Sequence, residues 1–156
     1  LWLNRSWTTR PRRPGEPDDA YEFVGRQEFE ARARAGGFLE WATVLDELYG
    51  SPWPEPPSGR DVVLEIDVEG ARQVTERCGG EVVCVLLLPP SRDVEAARLR
   101  ARGETEATIA RRLELGSQEE LLGRKLAHHV VVNDEIERAV EDLGAIIATE
   151  RKARAR

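Results

Sequence analysis

The residues best equipped for chemistry lie near the start of the chain, in Ser6-Trp7-Thr8-Thr9-Arg10-Pro11-Arg12-Arg13-Pro14-Gly15-Glu16. Three arginines stand among hydroxyl and carboxylate side chains on a backbone stiffened by Pro11 and Pro14. Each proline fixes φ near about −65° and restricts the residue before it, so the arginines give up little freedom on binding. Guanidinium forks match phosphate oxygens bidentately, and the segment reads as a prebuilt clamp for a phosphate monoester. Taken alone, a cluster of this size has a plainer reading as a basic loop in water; the rest of the chain decides between the two.

Composition narrows the ligand. Acidic groups outnumber basic ones, 29 to 23, for a net charge of −6. That argues against nucleic-acid or membrane-surface binding, both of which rest on broad positive potential. A local basic pocket in an acidic chain suits a small anion. Cys78 and Cys84 lack metal-ligand spacing, and such a sparse pair fits a reducing cytoplasm better than a disulfide scaffold. His128 and His129 are adjacent, so in a strand they point to opposite faces; both read as structural, and no metal-ligand set is expected. No apolar run approaches the ~20 residues needed to cross a bilayer. No signal-peptide pattern opens the chain. The first residue is Leu rather than Met, and Leu1-Trp2-Leu3 reads as the end of a strand, so an N-terminal truncation is expected.

These side chains need a scaffold, and 156 residues suffice for one sizeable core with a small lobe beside it. Residues 1–59 hold all the Phe, Trp and Tyr residues. Within them Tyr21 to Val24 reads as a short strand, Gln27 to Ala35 as a helix stopped by Gly36-Gly37, and Phe38 to Val44 as a half-buried strand. On that alternation Glu40 is an outward residue. The proline-rich segment Pro52 to Gly59 cannot be a regular helix and reads as a linker or loop. After it, Val62 to Asp67 and Val82 to Leu88 are near-continuous apolar runs, expected as strands buried on both faces. Asp67 ends the first run, where acids in parallel sheets commonly face a ligand.

Helices are expected over Glu69 to Arg77, with Ala71 and Val74 inward, and from an N-cap at Ser91 to about Ala101. A third covers Glu106 to about Leu126. A strand at Val130 to Val132 and a closing helix over Glu135 to Arg151 complete the chain, the latter with Ile136, Val140, Leu143 and Ile147 on one stripe. Strands alternating with helices predict an α/β fold with a parallel sheet.

Taken in order, these segments resemble guanylate kinase, a P-loop nucleoside monophosphate kinase. The likeness runs from Ser6 to Ile147. After the arginine segment come Tyr21-x-Phe23-Val24, Phe38-Leu39-Glu40-Trp41-Ala42, Tyr49-Gly50-Ser51, and Leu64-Glu65-Ile66-Asp67-Val68-Glu69-Gly70-Ala71. Leu88-Pro89-Pro90-Ser91, Arg98-x-x-x-Arg102-Gly103, Ile109-x-x-Arg112-Leu113 and Val130-Val131-Val132-Asn133-Asp134 follow. Any one is weak alone, but the order leaves little to coincidence.

The resemblance implies a parallel-sheet kinase core over residues 60–156, including a lid at about 98–115, and a small mixed α+β GMP-binding lobe over 1–59 that carries the end of a core strand. It implies ATP-dependent phosphorylation of GMP to GDP in purine nucleotide metabolism, with GMP or dGMP and ATP as substrates and Mg²⁺ entering with ATP. Ser6, Arg10, Arg13, Tyr21 and Tyr49 would grip the GMP phosphate. Glu40 and Ser51 would read guanine, with Asp67 beside the base and Glu65 and Asp67 near the reacting phosphates. Arg98, Arg102 and Arg112 would stabilise charge on the phosphoryl group during transfer, and Asn133 would contact the adenine of ATP. Glu16 is expected to brace the arginine clamp, and Arg100 and Arg111 to be solvated helix-face charges.

One element of the pattern does not occur. No Gly-x-x-x-x-Gly-Lys-Ser/Thr is present in these residues, so the loop that cradles ATP phosphates is not among them. By the resemblance it would precede Leu1, on a strand from the middle of the sheet. Two readings follow: a fragment of an ordinary guanylate kinase, or a non-catalytic guanylate-kinase-like module recognising GMP or a phosphopeptide. The clamp and lid arginines, retained together, favour the first, and the 156 residues alone are expected to be inactive as a kinase.

Overall fold

The structure is a computed structural model that describes residues 1–155. Residue 156 lies outside the described residues. The chain divides into two compact units, Leu1–Gly79 and Gly80–Arg156.

The first unit contains β1 (Trp2–Leu3), β2 (Trp7–Thr8), β3 (Glu22–Phe23), α1 (Arg26–Arg34), β4 (Phe38–Val44), β5 (Glu47–Pro52), β6 (Val62–Val63) and α2 (Val68–Cys78). β1 and β6 pair in parallel, Trp2 opposite Val62 and Leu3 opposite Val63. The other four strands form a mixed sheet ordered β3-β2-β5-β4, in which β2 runs parallel to β3 and antiparallel to β5. β4 and β5 form a hairpin whose turn residues, Leu45 and Asp46, take φ of 48° and 72°. Two left-handed residues in a two-residue loop match the twist of the flanking strands, although glycine or asparagine meets that need at less cost.

Packing against this sheet turns on Phe29 of α1. It is fully buried, stacks on Phe38 with ring centroids 4.6 Å apart, and shares a cluster with Leu48. Trp41 also meets the Phe29 ring, edge-on at 6.3 Å. Phe38 and Trp41 are three residues apart, and a strand with a period of two cannot put both on one face. The register supplies the answer. It shifts between Phe38, opposite Pro52, and Glu40, opposite Ser51, so β4 carries an extra residue at Leu39. This bulge changes the phase of the strand and leaves Glu40 on the face opposite Trp41. Gly50 makes the α1 side possible, since a Cβ there would lie 2.9 Å from the Trp41 Cβ and 3.0 Å from the Phe29 ring.

The second unit pairs β7 (Val85–Leu88) in parallel with β8 (His129–Val132) and adds α3 (Arg92–Ala101), α4 (Glu106–Leu126) and α5 (Ile136–Arg154). Ser91 caps α3 by accepting the Val94 N–H at 3.2 Å, and Thr105 caps α4 through the Thr108 N–H at 3.3 Å. Ala96 and Leu99 of α3 pack on Ile109 of α4, with Leu113 alongside. His128 Nδ1 accepts the Cys84 N–H at 3.0 Å and His129 Nε2 meets Glu150 at 2.8 Å, structural contacts for both imidazoles. Cys78 and Cys84 are free thiols.

The α/β class with parallel strand pairs and a small mixed sheet is the one expected, with three corrections. The runs Val62 to Asp67 and Val82 to Leu88 are strands only at Val62–Val63 and Val85–Leu88. After Val63 the chain leaves the ladder, and Asp67 serves as the N-cap of α2. These strands are not buried on both faces either; Leu87 remains 49% exposed and Val130 and Val132 are comparably open, because each parallel ladder has only two strands among the described residues. In α5 the expected stripe begins in water, with Ile136 71% and Val140 62% exposed, and the buried residue is the small Ala139.

Candidate functional site

Glu16 organises the arginine segment. Arg10 donates to both of its carboxylate oxygens, at 2.7 and 3.1 Å, in a fork-to-fork pair that is largely buried. The same carboxylate accepts the Arg13 backbone N–H at 2.9 Å, and the Glu16 carbonyl accepts the Arg12 guanidinium at 2.8 Å. The Arg10 hydrogen bond is the chief reason the Glu16 carboxyl titrates at about 2. Arg10 is pushed upward in turn, by Glu16 first and by Tyr49 as well.

Aromatic rings frame this guanidinium. Its carbon lies 5.5 Å from the Tyr21 ring centroid and 5.6 Å from that of Phe23. Tyr21 and Tyr49 meet edge to face at 6.0 Å. Burial, and then the charge of Glu65, raise the pKa of the Tyr21 hydroxyl. β2 anchors the segment: the fully buried Thr8 accepts the Arg10 N–H at 3.1 Å, and Thr9 Oγ1 donates to Glu47 and accepts the Leu48 N–H.

A second polar cluster shares a face of the sheet with this one. Tyr49 and Ser51 stand two residues apart on β5, hence on the same side about 7 Å apart, and Glu40 lies opposite Ser51. Glu40 is only 3% exposed and accepts the Ser51 N–H through Oε1 at 2.8 Å. The hydroxyls of Ser51 and Ser6 lie 3.2 Å apart. Burial pushes the Glu40 carboxyl up, Ser51 opposes that shift by hydrogen bonding, Asp67 adds to it by charge, and Arg77 lowers it. Asp67 caps α2 through the Gly70 N–H at 2.7 Å. The first turn of α2 approaches Glu40 so closely that a Cβ on Gly70 would lie 2.6 Å from Glu40 Oε2.

The first unit therefore brings Arg10, Tyr21 and Tyr49 together, ties the Arg13 backbone to them through Glu16, and joins Ser6, Ser51, Glu40 and Asp67 into a neighbouring cluster. Glu40 faces inward, against the outward orientation of an unbroken alternation, because of the bulge at Leu39. The packing role of Gly70, quoted only as part of a motif, was missed; its signal was a glycine in the first turn of a helix, which costs up to about 1 kcal/mol against alanine unless close packing requires it.

In the second unit Arg98 donates to the carbonyls of Asn133 and Asp134, at 2.9 and 3.3 Å. Arg112 Nε lies 2.7 Å from Glu104, whose carboxylate is largely buried. Arg102 closes α3 through its backbone and its side chain is exposed. Asn133 Oδ1 is buried and has no hydrogen-bond partner among the described residues. Arg98 and Asn133 are thus brought together, while Arg112 is engaged by Glu104, a partner that sequence reasoning did not single out. Arg100 pairs with Glu106 at 2.6 Å on the helix surface. Among the described residues no group of three or more His, Cys, Asp or Glu could hold a metal ion, and no helix is long and apolar enough to cross a membrane.

Comparison with known proteins adds family to geometry. A family model described as Guanylate kinase matches residues 5–150. The chain is 44% identical over 153 residues to a guanylate kinase of Symbiobacterium thermophilum, covering 94% of this chain and 71% of that protein. A guanylate kinase of Deinococcus radiodurans is 41% identical, with 98% of this chain and 66% of the relative covered. One from Thermus thermophilus is 44% identical, with 97% and 71% covered. Among solved structures, guanylate kinase from Anaplasma phagocytophilum superposes with a TM-score of 0.74 at 29% identity, over 95% of this chain and 74% of that one.

Proposed function

Because this chain belongs to the guanylate kinase family, we propose that the paired polar clusters of Leu1–Gly79 are its GMP site. The reaction they serve is transfer of the γ-phosphoryl group of ATP to an oxygen of the GMP phosphate, giving GDP and ADP. Ser6, Arg10, Arg13, Tyr21 and Tyr49 hold the acceptor phosphate, matching a dianion with charged and neutral donors. Glu16 keeps the clamp in place before substrate arrives.

Glu40 carries the reading. A carboxylate that is 3% exposed, with one oxygen engaged by Ser51, is costly unless something else uses its remaining acceptor capacity. Guanine presents a ring N–H and an exocyclic amine side by side, and adenine does not. Leaving such an acceptor unpaired costs about 1–3 kcal/mol, which makes the wrong base expensive. Ser51 orients the carboxylate and Asp67 lines the same spot. GMP or dGMP is the acceptor nucleotide; nucleic acid and membrane are not proposed as partners, and the setting is cytoplasmic.

In the second unit, Arg98, Arg102 and Arg112 are proposed to stabilise charge on the transferring phosphoryl group. Asn133 offers its buried, unpaired Oδ1 to the adenine amine of ATP. Mg²⁺ is expected with ATP, yet the described residues assemble no acidic cage for it. Magnesium held by nucleotide phosphates and water needs few protein ligands, so no role is assigned to these side chains in holding it.

Calorimetric titration of the chain with GMP, AMP and a phosphopeptide, wild type against Glu40→Ala, tests the site. The wild type should prefer GMP, and Glu40→Ala should lose that preference. Preference surviving the substitution would remove the guanine-reading role. Tight phosphopeptide binding without GMP binding would favour a non-catalytic recognition module.

A further inference from the structure

β4 is the outer strand of its sheet, and the bulge that turns Glu40 inward interrupts its pairing with β5. A bulge takes backbone groups off the ladder, and those groups need partners from elsewhere. Water can satisfy an edge carbonyl, but it does not fix where along the strand the bulge sits.

Two side chains of α2 bond to the β4 backbone on either side of Glu40. Arg77 donates through Nη1 to the Phe38 carbonyl at 3.2 Å and to the Leu39 carbonyl. Gln73 pairs with Trp41 in the manner of a neighbouring strand: its Nε2 donates to the Trp41 carbonyl at 2.9 Å and its Oε1 accepts the Trp41 N–H at 3.3 Å. The two side chains stand four residues apart, hence on one helix face. Between them they grip β4 immediately before and immediately after Glu40. The same helix carries Gly70, which admits the Glu40 carboxylate, and Asp67, which faces it.

We propose that Gln73 and Arg77 are positioning residues for base recognition, locking the Leu39 bulge so that the Glu40 carboxylate is held where guanine meets it. This rests on the GMP reading of the site. Neither side chain is assigned to the base or the phosphate. Their action is exerted through the β4 backbone and, for Arg77, through its charge. The groups acting on Glu40 are Ser51 from β5 and Asp67 and Arg77 from α2. Arg77 is the cation among them, and it favours the ionised carboxylate that guanine's donors require.

The test is titration of the 156-residue chain with GMP, IMP and AMP, across pH, for the wild type, Arg77→Ala, Arg77→Lys and Gln73→Ala. IMP keeps the guanine ring N–H and lacks the amine, while all three nucleotides present the same phosphate. Arg77→Ala should cut the preference for GMP over AMP by about ten-fold with AMP affinity unchanged. Its GMP binding should fail at a higher pH than the wild type's as the solution is acidified, since the carboxylate protonates sooner without the cation. Arg77→Lys should restore the pH profile and part of the preference. Gln73→Ala should speed hydrogen exchange at the Trp41 amide and weaken the preference more mildly; it also decides the matter if Arg77→Ala does not fold.

An equal loss of GMP and AMP affinity would mark a merely structural role and overturn the proposal. So would a wild-type preference and pH profile retained in both alanine variants. A wild-type chain that does not prefer GMP over AMP would instead sink the GMP reading itself.

Discussion

Gly70→Ala sets two effects of opposite sign against each other. Inside a helix, alanine is favoured over glycine by about 1 kcal/mol, so the substitution would ordinarily stabilise α2. Here the new Cβ would lie 2.6 Å from Glu40 Oε2 and 3.1 Å from its Cδ, where ordinary contact begins at 3.4 Å. The carboxylate cannot easily withdraw. Its other oxygen holds the Ser51 N–H at 2.8 Å, and the side chain is enclosed. Giving up that hydrogen bond costs about 1–3 kcal/mol, and forced overpacking typically costs a similar ~1–3 kcal/mol. The clash should win, leaving the variant destabilised by up to about 2 kcal/mol once the helix gain of about 1 kcal/mol is subtracted. Urea denaturation of the wild type, Gly70→Ala, Glu40→Ala and the double variant reads this directly, with GMP titration alongside. Without Glu40 the 2.6 Å clash is gone and Asp67 Oδ1, at 3.2 Å, is the remaining close neighbour, so Gly70→Ala should then be near neutral or stabilise by less than about 1 kcal/mol. If Gly70→Ala stabilises the wild type as much as it does the Glu40→Ala protein, the close approach of α2 to Glu40 is not as described.

Glu40→Gln should raise the melting temperature of the ligand-free chain at neutral pH while abolishing guanine preference. Burial raises the Glu40 pKa above its unfolded value, so its contribution to stability is present below the ordinary carboxylate range and lost as pH rises through the folded value; a lower melting temperature would count against this. Glu16→Ala should weaken GMP binding through the phosphate while sparing the preference for guanine, as comparison with AMP will show. The Glu16 carboxyl is lowered from 4.5 to about 2, so its stabilising contribution is present above pH 4.5 and lost as pH falls toward 2, and acid titration of the variant should lack that loss. Replacing Leu45 by Asn and Asp46 by Gly should stabilise the β4–β5 turn by about 1 kcal/mol, since neither replacement resists positive φ. A thermal melt checks it, with GMP affinity expected to stay constant.

Local chemistry was the legible part of the sequence. The start of α3 could be read because Ser91 acts within one turn, and α4 spans Glu106–Leu126 as expected. The Glu16 brace could be anticipated because acid and base lie six residues apart on a stiff loop. β5 was not singled out as a strand, since Gly50 and Pro52 disguise it; only its pairing with β2 and β4 reveals it. The orientation of Glu40 was the deepest miss of periodicity. A bulge belongs to the register between two strands, and no alternation within Phe38–Val44 contains that information. The family resemblance implied an inward role for Glu40, and the carboxylate is indeed buried, where periodicity had turned it outward. The Glu104 partner of Arg112 likewise depends on how α3 and α4 fold back on each other, through Leu99 and Ile109.

The fork-to-fork pairing of Arg10 with Glu16 has a consequence for how a nucleotide arrives. Arg10, which is proposed to hold the phosphate, is already paired with a carboxylate, in a chain whose overall charge is −6. Long-range attraction for a dianion is correspondingly faint, and capture depends on short-range fit once the ligand is within a Debye length. Nucleotide association should therefore respond only shallowly to added salt. A clamp of this kind chooses its anion by shape rather than by field.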